Sequence, residues 1–373
     1  MIRNDVRITG NGIVSRAMAL ALAHQGLKVG LQARAADAPD AACASGDVRT
    51  YALNPASVRL LQDIKTWDTL PADARCAVHE MYVRGDQASG AIDFSAWDQA
   101  VPALAWIVDA AALEQVLEAA VSFAPTITVQ GEPGAAPLTI VAEGKTSDLR
   151  QRLGVAFERH GYGQRGLAAR VVAESPHRGV ARQWFRSPDI LALLPFDRPE
   201  PTRSYGLVWS LPEAEALKWV AAPEADFEAA LMQASQGAVG PLRLASARMS
   251  WPLALGQAQT VHGAGWALIG DAAHTVHPLA GQGLNLGLAD VQCLADTLAR
   301  RESWRGLGDP ALLARYARRR ALPVRAMAQA TDGLWKLFAG EQPGLRELRN
   351  RGMSLVNHIA PLKRWLIGQA LDV

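Results

Sequence analysis

Residues 266–290 read Trp266-Ala-Leu-Ile-Gly-Asp-Ala-Ala-His-Thr-Val-His-Pro-Leu-Ala-Gly-Gln-Gly-Leu-Asn-Leu-Gly-Leu-Ala-Asp290, a strand, turn and helix around which the rest of the chain is arranged. Ala267, Leu268 and Ile269 form a short apolar run that stops at Gly270, the pattern of a buried strand ending in a turn. Asp271 falls just past that end, where an α/β sheet presents its ligand-binding side chains. Pro278 fixes the backbone of the following loop. Gly281, Gln282 and Gly283 then open a helix, because Leu284, Leu288, Val291, Leu294 and Leu298 recur at helical spacing. Two glycines at a helix start let a ligand press against bare backbone. The free N–H groups and positive dipole end there favour an anion or an electron-rich ring edge. Without a ligand, the same pattern is a tight strand-loop-helix turn.

The beginning of the chain carries a second glycine turn. Val6-Arg-Ile8 leads into Gly10-Asn-Gly12-Ile-Val-Ser15, and a helix follows through Met18, Ala19, Leu22 and Ala23 to Gly26. Val29-Gly-Leu31 is the next strand. This is a dinucleotide-binding β-α-β unit, whose glycines admit a pyrophosphate to the helix N-terminus. Ser15 replaces the third glycine and is small enough for close helix–sheet packing. The acidic residue expected after the second strand is absent: the string is Leu31-Gln-Ala-Arg34, with Ala33 in its place. Gln32 is a substitute acceptor for ribose hydroxyls, but alternation along a strand is expected to turn its side chain the other way.

Asp47-Val-Arg49-Thr-Tyr-Ala-Leu53 follows. Together, these three segments resemble the class A flavoprotein aromatic hydroxylases, in particular the hydroxylases of ubiquinone biosynthesis. The resemblance implies FAD as cofactor. It places Gly10, Gly12, Ser15 and Arg34 at the adenosine and pyrophosphate half, and Arg49 near the phosphates and the isoalloxazine edge. Gly270 and Asp271 then belong beside the ribityl phosphate. The loop with Pro278, Gly281, Gln282, Gly283, Leu284 and Asn285 belongs beside the isoalloxazine, its helix start facing the pyrimidine end of the ring. His277 and His274 lie in the flavin loop and are the titratable candidates for a catalytic role, against a plain loop-fixing hydrogen bond. No metal-ligand spacing is present.

The middle of the chain fits the same resemblance. Met81-Tyr-Val83 and Ile92-Asp-Phe94 read as paired strands, and Trp106-Ile-Val-Asp109 leads into a helix through Leu113 and Leu117. Between Tyr162 and Trp209 the β-rich segments suggest a mainly antiparallel sheet. Their order, Tyr162-Gly-Gln164, Pro176-His177, Arg182-Gln-Trp-Phe185, Ala192-Leu-Leu-Pro195 and Val208-Trp-Ser210, is similar to the family's substrate domain, which roofs the flavin. His177 is either a base or a structural turn residue. Two departures fall on the nicotinamide side. Residues 130–137 stand where the family has a small antiparallel meander, and Glu143 replaces Asp in Ala142-Glu-Gly144.

The fold class expected is therefore α/β: a Rossmann-like FAD-binding domain, an inserted mainly antiparallel β-sheet substrate domain, and a helical C-terminal tail. The boundaries expected are 1–78, 98–155 and 255–305 for the first, 79–97 and 156–254 for the second, and 306–373 for the tail. A net charge of +2 gives no case for nucleic acid. Cys43, Cys76 and Cys293 form no disulfide framework, which fits a cytoplasmic protein. Arg315, Arg318, Arg319, Arg320 and Arg325 read as a solvated helix face. Leu355, Ile359, Trp365 and Leu366 beside Lys363 and Arg364 read as core packing, or as a face that docks peripherally on the inner side of a membrane or on a biosynthetic complex. The activity implied is hydroxylation of a small phenolic substrate, prenylated or not, by reduced FAD and O₂ with NAD(P)H as electron donor. The departures at Ser15, Ala33 and Glu143 leave open an accessory protein of a quinone-biosynthesis complex that binds FAD weakly or not at all.

Overall fold

The computed structural model describes residues 4–33, 46–85, 90–276 and 282–339. Arg34, Cys43, His277, Pro278, Gly281 and the tail beyond residue 339 lie outside the described residues. In chain order the first elements are β1 (Val6–Thr9), α1 (Ile13–His24), β2 (Val29–Gln32), β3 (Thr50–Leu53), α2 (Pro55–Asp63), β4 (Arg75–Val78), β5 (Glu80–Arg84), β6 (Ala91–Ser95), β7 (Ala105–Asp109), α3 (Ala110–Phe123), β8 (Ile127–Gln130) and β9 (Leu138–Val141). After them come α4 (Asp148–Arg152), β10 (Phe157–Ala173), β11 (Val180–Phe185), β12 (Ile190–Phe196), β13 (Ser204–Pro212), α5 (Glu213–Ala221), α6 (Glu224–Ala234), β14 (Leu242–Leu244) and β15 (Met249–Ala258). The chain continues through β16 (His262–Gly263), β17 (Trp266–Leu268) and β18 (His274–Thr275) to α7 (Gln282–Ala299) and α8 (Pro310–Ala339).

Six strands form one sheet in the order β16-β17-β9-β1-β2-β8, parallel except for β16. Its inner strands turn their apolar residues toward covering helices, with Arg7 and Thr9 alternating with Val6 and Ile8 in β1. Val6, Ile8, Val29, Leu138, Ile140 and Ala267 are fully buried against the apolar stripes of α1, α3, α7 and the start of α8. In such a sheet, ligands bind outside the carboxyl ends of the strands. Here those ends are Thr9, Gln32, Val141 and Leu268, and the two glycine turns leave from the first and last of them.

A second sheet of nine strands runs β18-β15-β10-β13-β12-β11-β5-β6, with β14 paired to β10. One face packs on α5 and α6 through Leu167, Val171, Tyr205, Leu207 and Trp209 against Phe227 and Leu231. A small antiparallel sheet, β3-β7-β4, meets its other face. Gly206 is required there, because a Cβ at this position would lie 2.4 Å from Thr50 Oγ1. Local signals set the helix starts. Asn54 caps α2 by accepting the Ser57 N–H at 2.8 Å, with Pro55 following it. Asp109 caps α3 by accepting the Ala112 N–H at 3.0 Å.

The arginine series on α8 does not lie on one solvated face. Arg318, Arg319 and Arg325 are exposed, but Arg320 is buried. It occupies the same helix stripe as Leu313 and Tyr316, and a buried carboxylate on α7 compensates its charge.

Candidate active site

The first glycine turn is built for close approach. Gly10 has φ +93°, and a Cβ on it would meet Ala142 O at 2.3 Å, so the turn fits against the chain leaving β9 only as glycine. Ser15 is fully buried and donates its Oγ–H to Ala142 O at 3.2 Å, so a serine in the third position preserves the packing. Gly12 starts α1 with no side-chain cap and no acidic residue in the first turn. A Cβ on Gly12 would meet nothing within 4 Å. The helix thus offers uncapped N–H groups to open space, which is an anion site in waiting. The cleft in front of it, about 330 Å³, is lined by Gly10, Asn11, Gly12, Gln32, Ala33, Glu114 and Glu143. Gln32 turns toward this cleft rather than away from it, since its Oε1 accepts the Gly10 N–H at 2.9 Å. It is the last residue of β2, where pairing ends and a long side chain is free to fold round the strand end.

The second turn converges on the first. Gly270 has φ +61°, and its hypothetical Cβ would sit 3.3 Å from Val14 Cγ1 in the first turn of α1. Gly287, one turn into α7, is held to glycine by the same side chain, with Val14 Cγ2 at 2.8 Å from the position of a Cβ. The starts of α1 and α7 are therefore packed against each other. Gly283, like Gly12, has nothing within 4 Å of a built Cβ. Asp271 lies past β17, and its carboxylate makes no hydrogen bond among the described residues. Burial raises its pKa, while Lys145 and His274 pull it down. Tyr51, close enough to feel the Asp271 charge, is pushed up to about 12 by burial and stays a phenol at neutral pH.

Asp290 on α7 holds this turn in place. It is fully buried and accepts from the Gly270 N–H at 2.9 Å, from Arg320 Nε at 2.7 Å and from His274 Nε2 at 2.7 Å. His274 thus spends its Nε2–H on a structural carboxylate. Burial pushes the Asp290 carboxyl up, but His274, Arg320 and the Gly270 N–H together hold it below the usual carboxylate range. Asn285 does the same work toward the other side. Its Oδ1 accepts from the Asn54 N–H at 3.0 Å and Ser57 Oγ at 2.8 Å, and its Nδ2 donates to Ala52 O at 2.8 Å. Arg49 is gripped by Asp47 at 2.6 Å and faces Glu114 at 3.7 Å. The Asp47 hydrogen bond raises its pKa and burial opposes it, so the guanidinium is charged at any working pH.

Register aligns Met249, Ala168, Val208 and Ala192 across β15, β10, β13 and β12 on one face of the large sheet, where Val208 and Ala192 pack against Val78, Ile107 and Phe196. Beside this row lies Gly166, whose missing side chain leaves room for Trp251 and Leu253. The row joins a second apolar group toward the β5–β6 edge, Met81, Val83, Phe94, Phe185 and Ile190.

The FAD binding domain family matches residues 134–331 of this chain. The ubiquinone hydroxylase UbiL of Rhodospirillum rubrum is 31% identical over 391 residues, covering 98% of this chain and 89% of the relative. The 3-demethoxyubiquinol 3-hydroxylase of Escherichia coli is 30% identical over 395 residues, covering 99% and 98%. The chain belongs to the FAD-dependent hydroxylases of ubiquinone biosynthesis. Among solved structures, the probable FAD-dependent monooxygenase PqsL of Pseudomonas aeruginosa superposes with TM-score 0.74 at 21% identity, covering 94% of this chain and 99% of PqsL. HpxO of Klebsiella pneumoniae, solved with FAD and uric acid, superposes with TM-score 0.71 at 15% identity, covering 98% and 96%. These two likenesses show the fold.

The residues of this hydroxylase fit FAD. The uncapped α1 start and the bare Gly12 suit a diphosphate, and the unpartnered Asp271 carboxylate suits hydroxyl donors. Gly10, Gly12, Ser15, Arg49, Gly270, Asp271, Gly283, Leu284 and Asn285 all gather around the two turns. Gln282 begins α7. His177 does not join them. It sits with Cys76 and Asp197, the only cluster of metal-ligand type among the described residues. The Gly179 N–H donates to its Nδ1 at 3.0 Å, which leaves Nε2 protonated and facing Asp197 Oδ1 at 3.3 Å. A ring so held has no lone pair for a metal or for base work. Sequence reasoning missed Asp290 and Arg320. Their signal was an acid inside the apolar stripe of α7 and a base inside that of α8.

Proposed function

We propose that the aromatic substrate of this FAD-dependent monooxygenase is a prenylated phenol or quinol. The observation that carries this is the apolar row Met249–Ala168–Val208–Ala192 running into the group around Phe94 and Phe185. The apolar group around Phe94 and Phe185 offers a surface for a tail, whose burial is worth about 0.8 kcal/mol per CH₂. The names of the two full-length relatives, both hydroxylases of the ubiquinone pathway, point the same way.

The flavin, when bound, takes electrons from NAD(P)H and activates O₂. The chain's own residues bind, orient and exclude water. The α1 start would hold the diphosphate, Asp271 the ribityl hydroxyls, and the Gly283 end of α7 the pyrimidine edge, where its dipole would favour negative charge. Arg49 adds a fixed positive charge. His177 does not serve as a base, because the Gly179 N–H occupies its Nδ1 and its Nε2 faces Asp197, whereas His274 is positioned by the bond from its Nε2 to Asp290.

Exposed Leu322 on α8 lies between exposed Arg318 and Arg325, a basic and apolar stripe suited to peripheral docking on anionic lipid. No helix among the described residues is long and apolar enough to cross a membrane. Co-sedimentation with anionic vesicles at varied salt tests the docking, and Leu322→Glu is expected to abolish it.

The activity test supplies FAD, NADH or NADPH, and a short-chain prenylated phenol under isotopically labelled O₂. One labelled oxygen in the product ring, with faster NAD(P)H oxidation when the phenol is present, is the expected result. Equal turnover of prenylated and unprenylated phenols would remove the tail from the reading.

A further inference from the structure

Gln32 is left without a role by the function above. Its Oε1 faces the Gly10 N–H at 2.9 Å, and that donor fixes which end of the carboxamide is oxygen. The Nε2 end carries two hydrogens and no acceptor. It donates to nothing among the described residues, and the side chain lines the cleft. Several other polar atoms at this cleft are engaged, although Asn11 Nδ2, like Gln32 Nε2, donates to nothing among the described residues. Glu143 accepts from Ser147 Oγ at 2.6 Å and the Leu149 N–H at 3.1 Å. Asn11 Oδ1 accepts from Arg16 Nε at 2.9 Å, and Glu114 faces Arg49 at 3.7 Å. Ala33, where this architecture places an acid for the ribose, offers no polar atom.

We propose that Gln32 reads the adenosine ribose of FAD, acting as a neutral hydrogen-bond donor where the fold ordinarily supplies a carboxylate acceptor. The proposal rests on the FAD reading of the cleft and adds to it the polarity of one subsite. Gly10 pins the amide oxygen, so the Nε2 group is presented to the ligand without a rotamer search. A neutral bond is roughly half as strong as a charge-assisted one, so the adenosine half of the cofactor is held more loosely than a carboxylate would hold it.

The test measures affinity, not turnover. Apoprotein is titrated with FAD by flavin fluorescence, with FMN as the ring half alone, and with ADP by displacement as the adenosine half alone. Gln32→Ala is expected to weaken FAD and ADP by about three- to tenfold and to leave FMN unchanged. Gln32→Glu keeps the bond to Gly10 and offers the ribose hydroxyls an acceptor, so it is expected to bind FAD at least as tightly as the wild type. Thermal melting of each apoprotein establishes that the variants fold. Unchanged FAD and ADP affinity in Gln32→Ala, an equal shift in FMN, or a Gln32→Glu variant as weak as the alanine would overturn the proposal. Failure of the wild type to bind FAD at all would instead sink the cofactor reading beneath it.

Discussion

Arg320 Nε donates to Asp290 Oδ1 across 2.7 Å, with 9% and 1% of the two side chains exposed. The pair ties α8 to α7, and through the Gly270 N–H the same carboxylate ties α7 to the end of β17. Removing Asp290 leaves the Arg320 guanidinium buried without its carboxylate, and removing Arg320 leaves Asp290 only His274 and the Gly270 N–H. Arg320→Met and Asp290→Leu are each expected to destabilise by about 3–5 kcal/mol, and the double variant by clearly less than the sum. Urea unfolding of the four proteins measures this. Additive losses would show that the two groups do not depend on each other.

Asn285 joins the start of α7 to β3 and α2 by three hydrogen bonds. Asn285→Ala strands the Asn54 N–H, the Ser57 hydroxyl and Ala52 O in a buried place. The expected cost is about 2–4 kcal/mol, with weaker FAD binding because the helix start loses its anchor. Ser57→Ala removes one bond and is expected to cost about 1 kcal/mol. Denaturant midpoints and FAD titration check both. A stable Asn285→Ala protein would mean that packing alone holds α7.

Gly12 tests the site apart from the fold. A methyl group there touches no protein atom, so Gly12→Ala is expected to cost the apoprotein only about 1 kcal/mol, through its poorer helix start. The same methyl group projects into the space assigned to the diphosphate, and FAD affinity is expected to fall by about tenfold or more. Melting of the apoprotein and flavin titration separate the two effects. Unchanged FAD affinity would place the diphosphate elsewhere.

The glycine turns, the two strand ends and the helical stripe of α7 were legible in the sequence because each rests on local spacing. Gly10, Gly12, Gly270 and Asp271 could be named before the chain was folded. The direction of Gln32 is not legible in the sequence, because alternation describes the middle of a strand and this residue ends one. The burial of Arg320 is not legible in the sequence, because its neighbours Arg318 and Arg319 are exposed and its partner lies 30 residues away on another helix. His177 was ambiguous in sequence, since only the Gly179 N–H on its Nδ1 decides which nitrogen carries the proton.

That tautomer gives His177 a measurable signature. Burial lowers its pKa, although Asp197 pulls it upward, so the folded ring resists a proton that the unfolded chain takes near pH 6.5. Below that pH the unfolded state binds more protons than the folded one, and stability falls with falling pH until the folded value is passed. The His177 contribution is therefore fully present above about pH 6.5 and is lost on acidification. In His177→Asn, the amide oxygen replaces Nδ1 as acceptor of the Gly179 N–H, and no group titrates. Its unfolding free energy is expected to decline less than that of the wild type between about pH 7.5 and 5.5. Denaturant unfolding at a series of pH values measures the difference, and the remaining titrating groups cancel between the two proteins. Parallel curves would show that His177 takes up its proton as readily in the folded chain as in the unfolded one, and that its Nδ1 is not committed to Gly179.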